Sequence, residues 1–216
     1  MRLLRCCDPG RIARMKRSPQ SAIRNPSAAP HRVRIIGGAW KRTPIPVADA
    51  RGLRPTPDRV RETLFNWIAH LRPDLTALRG LDLFAGTGAL GFELASRGAA
   101  HVTLVERDPK LAARLRALRD RLGATQIEIV AGDALAVAAQ LADSSFDFVF
   151  VDPPYDAGLL APALDAVRRV LAPEGLAYAE SDAPIDAAQA AAHGYELVRA
   201  DRASRVCFHL LRRKSS

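Results

Sequence analysis

The stretch that most constrains the fold is LDLFAGTGALGFELA, residues 81–95, which passes from an apolar strand through three glycines into a helix. Gly86, Gly88 and Gly91 stand in GxGxxG spacing. That spacing lets backbone approach a ligand closely and turns helix N–H groups toward it. From Leu81 the pattern predicts strands over 81–84, 102–106, 126–131, 146–151, 175–180, 195–200 and 205–211. Between them it predicts helices over 89–97, 109–122, 133–141, 159–171 and 184–192. Short apolar strands alternating with helices imply an α/β, Rossmann-like fold: a seven-stranded, mostly parallel sheet covered on both faces. The segments YELVRA and RVCFHLL lie too close together for a helix between them, so they are expected to form a terminal antiparallel pair.

Ahead of this region, RVRIIGGAWKRTPIPVA (32–48) places apolar residues on either side of Gly37-Gly38, with Pro44 and Pro46 on the return segment. A small edge hairpin is expected. A helix follows, with Asp58 as its expected cap, Val60, Leu64, Trp67, Ile68 and Leu71 on the buried face, and Arg59, Arg61 and Glu62 on the other. The domain reading is a tail over 1–31, a hairpin-and-helix extension over 32–72, and a catalytic domain over 73–216.

With 216 residues, 48% hydrophobic, the chain can bury one sizeable core plus a small appendage. It has no apolar run near the ~20 residues that span a bilayer. Cys6, Cys7 and Cys207 offer neither metal-ligand spacing nor a disulfide framework, so a reducing cytoplasm is expected. Residues 1–30 mix Arg with Pro, Ser and Ala without a period and are read as disordered. They contain no apolar h-region for secretion, while an Arg-rich transit peptide or a true start at Met15 both stay open.

The formal charge of +9 is unevenly placed. Residues 1–72 hold sixteen Lys/Arg against four acids, whereas the remainder holds sixteen against nineteen. A polyanionic partner approached from the front third of the chain is therefore expected, with Arg42, Arg51 and Arg54 as candidate RNA contacts.

Three acids accompany the glycine turn. Glu106 ends the next strand, 20 residues beyond Gly86, where a ribose-binding acid is expected. Asp82 lies inside the first strand, where it would repel a pyrophosphate but attract the ammonium of a methionine moiety. That favours S-adenosylmethionine over a dinucleotide. Asp133, in AGDA, sits at the carboxyl edge of the sheet, placed either to accept an adenine amino hydrogen or to cap a helix.

The strand FDFVFV then delivers Asp152, Pro153, Pro154 and Tyr155. Two prolines make a stiff turn with free carbonyl acceptors, Asp152 adds a carboxylate and Tyr155 a flat ring. Together they suit a planar molecule bearing an NH₂ group: the ring stacks on the base while acceptors hold the amine hydrogens. Acceptors out of the ring plane favour a pyramidal nitrogen whose lone pair can attack a methyl group in line.

DLFAGTGALG and DPPY are similar to class I S-adenosylmethionine-dependent methyltransferases acting on amino nitrogens. The fuller set, RVRIIGGAWKRTPIPV, GLRPTPDRVRETLFNWI and FVFVDPPYDAGLL, resembles the bacterial RsmD family, which methylates a guanine N2 amine in 16S ribosomal RNA. The resemblance runs from about Arg32 to Arg213 and implies a monomer acting on 16S ribosomal RNA within a small-subunit particle. It implies that Asp82, Phe84, Gly86, Gly88, Glu106, Arg107, Asp133 and Ala134 bind the methyl donor. By the same resemblance Thr56, Asp58 and Arg59 close its methionine end, and Asp152, Pro153, Pro154 and Tyr155 hold the target base.

Three other readings compete. An adenine-N6 DNA methyltransferase presents the same acceptors, but it needs recognition surface beyond the ~50 ordered residues expected before the sheet. A non-catalytic RNA-binding assembly factor would not require both a donor pocket and an amine receptor. A nicotinamide-dependent oxidoreductase would share the glycine spacing.

Overall fold

Alternate residues of FDFVFV serve two different cores, which is what places this strand at the centre of the molecule. The computed structural model describes residues 33–47 and 56–214. The expected tail, Arg51 and Arg54 lie outside the described residues. The elements are β1 (Val33–Arg34), β2 (Pro44–Ile45), α1 (Asp58–Leu71), β3 (Arg79–Asp82), α2 (Ala89–Ser96), β4 (His101–Glu106), α3 (Pro109–Leu122) and β5 (Ile127–Ala131). There follow α4 (Ala134–Gln140), β6 (Phe146–Val151), a 3₁₀ turn (Tyr155–Ala157), α5 (Leu160–Val170), β7 (Leu171–Ser181), α6 (Ala187–Ala192), β8 (Tyr195–Ala203) and β9 (Val206–Arg213).

The seven-stranded sheet has the order β5-β4-β3-β6-β7-β9-β8. Strands β3 to β7 pair in parallel, and β9 runs antiparallel to both β7 and β8. The terminal pair is therefore antiparallel as expected. Its second strand inserts inward and leaves β8 at the edge, which suits the apolar FHLL of β9 and the charged RADR of β8. From β3 the chain builds outward to β5 and then returns to β6 on the other side. The β3/β6 boundary is thus the topological switch point, where open α/β sheets bind ligands beyond their carboxyl ends.

One core layer holds Phe148 and Phe150 of β6 with Val60, Leu64, Phe65 and Ile68 of α1, and with residues of α2 and α3. The other holds Val149 and Val151 with residues of α4, α5 and α6. Burying side chains of this size stabilises by about 1.5–3 kcal/mol each. The polar residue of the strand, Asp147, accepts the Arg79 N–H at 2.9 Å and so pins the start of β3 against β6. Among the described residues, no helix is long and apolar enough to cross a membrane.

Helix α1 corrects three expectations. Its N-cap is Pro57, without a side-chain cap bond, and Asp58 lies inside the first turn, where it pairs with Arg61 at 2.6 Å. Arg61 is fully buried, not solvent-facing. Its guanidinium reaches the Arg34 carbonyl at 2.9 Å, Asp58, the Thr56 carbonyl at 3.4 Å and the Glu93 carboxylate at 3.8 Å. A buried charge persists only when paired and hydrogen-bonded. The helix is also rotated relative to the expected face: Phe65 enters the core, while Trp67 and Leu71 sit half-buried at its margin.

Glu93 of α2 in turn accepts the Ile36 and Gly37 N–H groups at 2.6 and 2.8 Å. Gly38 must be glycine: its φ is +75°, and a Cβ would lie 1.8 Å from the Ser96 carbonyl oxygen. The hairpin is thereby bolted to the helix that carries the glycine turn.

Candidate active site

The carboxyl ends of β3, β4, β6 and β7 converge on a group of acids. On β3, Asp82 is buried, and its Oδ2 accepts the Gly91 N–H of α2 at 3.0 Å. Burial raises its pKa to about 7, and the nearby Glu106 charge adds to that, while N–H groups of Gly91 and Phe84 oppose it. Gly88 holds φ +77°, and a Cβ there would stand 2.6 Å from Leu115 and 2.8 Å from Phe92. The turn can therefore form only with glycine.

Glu106 ends β4 with both oxygens engaged: Oε2 accepts the Gly86 N–H and Oε1 the Asp108 N–H, each at 2.8 Å. These bonds hold the carboxylate beside the glycine turn. Arg107 is exposed, Phe84 packs partly against the α4–α6 layer, and Ala134 is buried at the start of α4. Asp133 is a helix cap, its Oδ1 accepting from Leu135 and Ala136 at 3.1 Å.

After β6, Pro153 is buried and Pro154 exposed. Tyr155, 36% accessible, is the one exposed large hydrophobic residue among the described residues. Asp152 is half-buried as a residue, while its carboxyl sits among protein atoms. Desolvation holds that carboxyl well above the usual range, and the charges of Glu180 and Asp82 push the same way, against a Thr56 hydroxyl that lowers it. Asp82 of β3 and Asp152 after β6 are therefore electrostatic neighbours across the switch point.

Glu180, on β7, went unnoticed in the sequence because a single acid in an apolar strand carries no spacing signal. It is 3% exposed. Three hydroxyls donate to it: Tyr178 at 2.8 Å, Thr56 at 3.0 Å and Tyr155 at 3.4 Å. Its pKa is raised by burial, which these hydrogen bonds counter. Thr56 is thus brought to the site, whereas Asp58 is engaged by Arg61 and Arg34, and Arg59 is exposed at the helix surface. Arg42 stands in the hairpin loop, its N–H on the Ile35 carbonyl at 2.8 Å. Ile45 and Pro46 of the same hairpin line a cavity with Gly86, Thr87, Leu111 and Arg114, so the extension borders the glycine turn.

The acids at these strand ends match the chemistry of a cationic methyl donor. Carboxylates suit an ammonium and ribose hydroxyls and would repel a pyrophosphate.

The family described as Conserved hypothetical protein 95 matches residues 33–212. The chain is 44% identical over 152 residues to ribosomal RNA small subunit methyltransferase D of Escherichia coli strain K12, covering 69% of this chain and 75% of that one. It is 40% identical over 155 residues to the protein of the same name from Haemophilus influenzae, covering 69% and 79%. The solved structure of the Escherichia coli protein yhhF superimposes with a TM-score of 0.72 at 38% identity, covering 86% of this chain and 99% of that one. A SAM-dependent methyltransferase from Aquifex aeolicus, 15% identical, shares the fold with a TM-score of 0.55, covering 73% and 93%. A glycine turn flanked by acids, faced across the switch point by DPPY and matched along most of the chain, places the protein in the ribosomal RNA small subunit methyltransferase D family of S-adenosylmethionine-dependent enzymes.

Proposed function

We propose that the protein transfers a methyl group from S-adenosylmethionine to the exocyclic N2 amine of a guanine in small-subunit ribosomal RNA, in the cytoplasm. The choice of guanine N2 rests on the family. The observation that carries the amine chemistry is the pairing of Asp152 and the accessible Tyr155 ring with the Asp82–Glu106 side of the same sheet edge.

The donor supplies an electrophilic methyl group on a sulfonium. Gly86 and Gly88 let it approach the backbone, Glu106 and Asp133 suit its ribose and adenine, and Asp82 suits its ammonium. Tyr155 stacks on the extruded base, and Asp152 with the prolyl carbonyls accepts the amine hydrogens. This holds the nitrogen lone pair toward the methyl group. Transfer forms one N–C bond as one C–S bond breaks, and the surplus proton leaves to Asp152 or water. Catalysis is mainly positioning and electrostatic. Arg42, with Arg51 and Arg54, would hold RNA phosphates.

The test is to incubate the protein with labelled methyl donor and small-subunit particles from a strain lacking this enzyme. Mass spectrometry of the RNA is expected to show one N2-methylguanine. Label appearing instead on adenine in duplex DNA, or on neither substrate, would overturn the proposal.

A further inference from the structure

Building on that reading, we infer that Glu180 is a positioning residue that ties the segment closing the methyl donor to the ring stacking on the target base, so that ordering either side orders the other. Its two oxygens divide the work. Oε1 takes the hydroxyls of Thr56 and Tyr178 at 3.0 and 2.8 Å, and Oε2 takes that of Tyr155 at 3.4 Å. Thr56 stands two residues before α1, ahead of the cap residue Pro57, and its carbonyl accepts from the buried Arg61, so its place is set by the hairpin lock. Tyr155 opens the turn after the prolines and presents the accessible ring. Glu180 itself is held on a strand paired on both sides, by β6 and β9. It therefore provides a rigid anchor between two segments that meet nowhere in the sequence.

A carboxylate this deeply buried is costly unless its lone pairs are satisfied. Three converging hydroxyls satisfy them, and Tyr178, whose hydroxyl is only two residues away, serves as the fixed partner while Thr56 and Tyr155 are the linked ones. The acidic and phenolic groups acting on Glu180 and its neighbour Asp152 are Asp82 on β3, Tyr178 on β7 and Tyr155 in the 3₁₀ turn. Glu180 also pushes the Asp152 carboxyl upward. Removing its charge therefore lets Asp152 ionise at lower pH. A Glu180 that only packs its strand would leave the effects of Thr56 and Tyr155 independent of each other.

The experiment compares full-length wild type with Glu180→Gln in methyl transfer to small-subunit particles, in donor binding by calorimetry without RNA, and in the pH dependence of kcat/KM. In Glu180→Gln the donor Kd and the particle KM are both expected to rise roughly tenfold, the loss of a hydrogen bond to a charged group. The acid limb of kcat/KM is expected to move to lower pH. A double-mutant cycle of Thr56→Val and Tyr155→Phe leaves Glu180 in place and guards against misfolding of the first variant. Its effects on kcat/KM should deviate from multiplicative by about threefold or more. Unchanged affinities with an unmoved acid limb, or a multiplicative cycle, overturn the link while wild-type transfer stands. Absence of transfer by wild type instead overturns the functional reading, and the link with it.

Discussion

The guanidinium of Arg61 and the carboxylate of Glu93 are both completely buried, with Nη1 3.8 Å from Oε2. They join α1 to α2, and Glu93 carries the hairpin on its other bonds. Arg61→Ala leaves Glu93 with less compensation and strips partners from Asp58 and the Arg34 carbonyl. A loss of about 3 kcal/mol or more is expected in urea denaturation. Arg61→Lys should recover only part of it, because one ammonium cannot reach all the acceptors that the planar guanidinium spans. Hydrogen exchange at the Ile36 and Gly37 amides should quicken in both variants.

Asp82 makes the stability of the free protein depend on pH. Its folded pKa of about 7 lies above the ordinary 3.8. The stabilising contribution is therefore complete below about pH 4 and is lost as pH rises through 7. Asp82→Asn should flatten this slope and stabilise the protein at pH 8 by on the order of 2–4 kcal/mol relative to wild type. It should also weaken donor binding, since no charge then faces the ammonium. Thermal melts from pH 4 to 8 with calorimetric donor titration measure both.

At the DPPY turn, donor binding and chemistry should separate. Asp152→Ala is expected to lower kcat by roughly 10²–10³, the scale of a lost electrostatic contact in the transition state, with little change in donor Kd. Tyr155→Ala should raise the particle KM roughly tenfold through lost stacking, and Tyr155→Phe less, because the ring face remains. Steady-state kinetics on small-subunit particles distinguishes these effects.

RNA affinity should carry the charge asymmetry. Replacing Arg42, Arg51 and Arg54 together by Ala should reduce the slope of log K against log salt by about 2, if each contacts one phosphate. Filter binding between 50 and 200 mM salt reads the slope. An identical slope would refute the assignment.

The strand–helix alternation and the glycine and proline turns were legible because their signals are local. Apolar runs such as FVFV, the glycines of GTG and the turn DPPY each state a backbone geometry within a few residues. The inward place of β9 was not legible, since strand order depends on which edge pairs best and not on spacing along the chain. Arg61 was misplaced for a related reason: a helical pattern treats Arg as solvent-facing, and its burial depends on acceptors from Arg34, Thr56 and Glu93. Asp133 had two readings, and the structure places it as a cap; its adenine role belongs to the proposed function.

By itself, the sequence determined the alternation of strands and helices, the glycine turn and the proline turn after β6, because steric and hydrophobic periodicity act between near neighbours. Only the tertiary structure decided that Glu180 gathers Thr56, 124 residues away, and Tyr155, 25 residues away, onto one carboxylate. It likewise decided that Arg61 lies inside. A buried charge is tolerable only where distant partners converge on it, and that convergence exists only once the sheet and its layers have assembled.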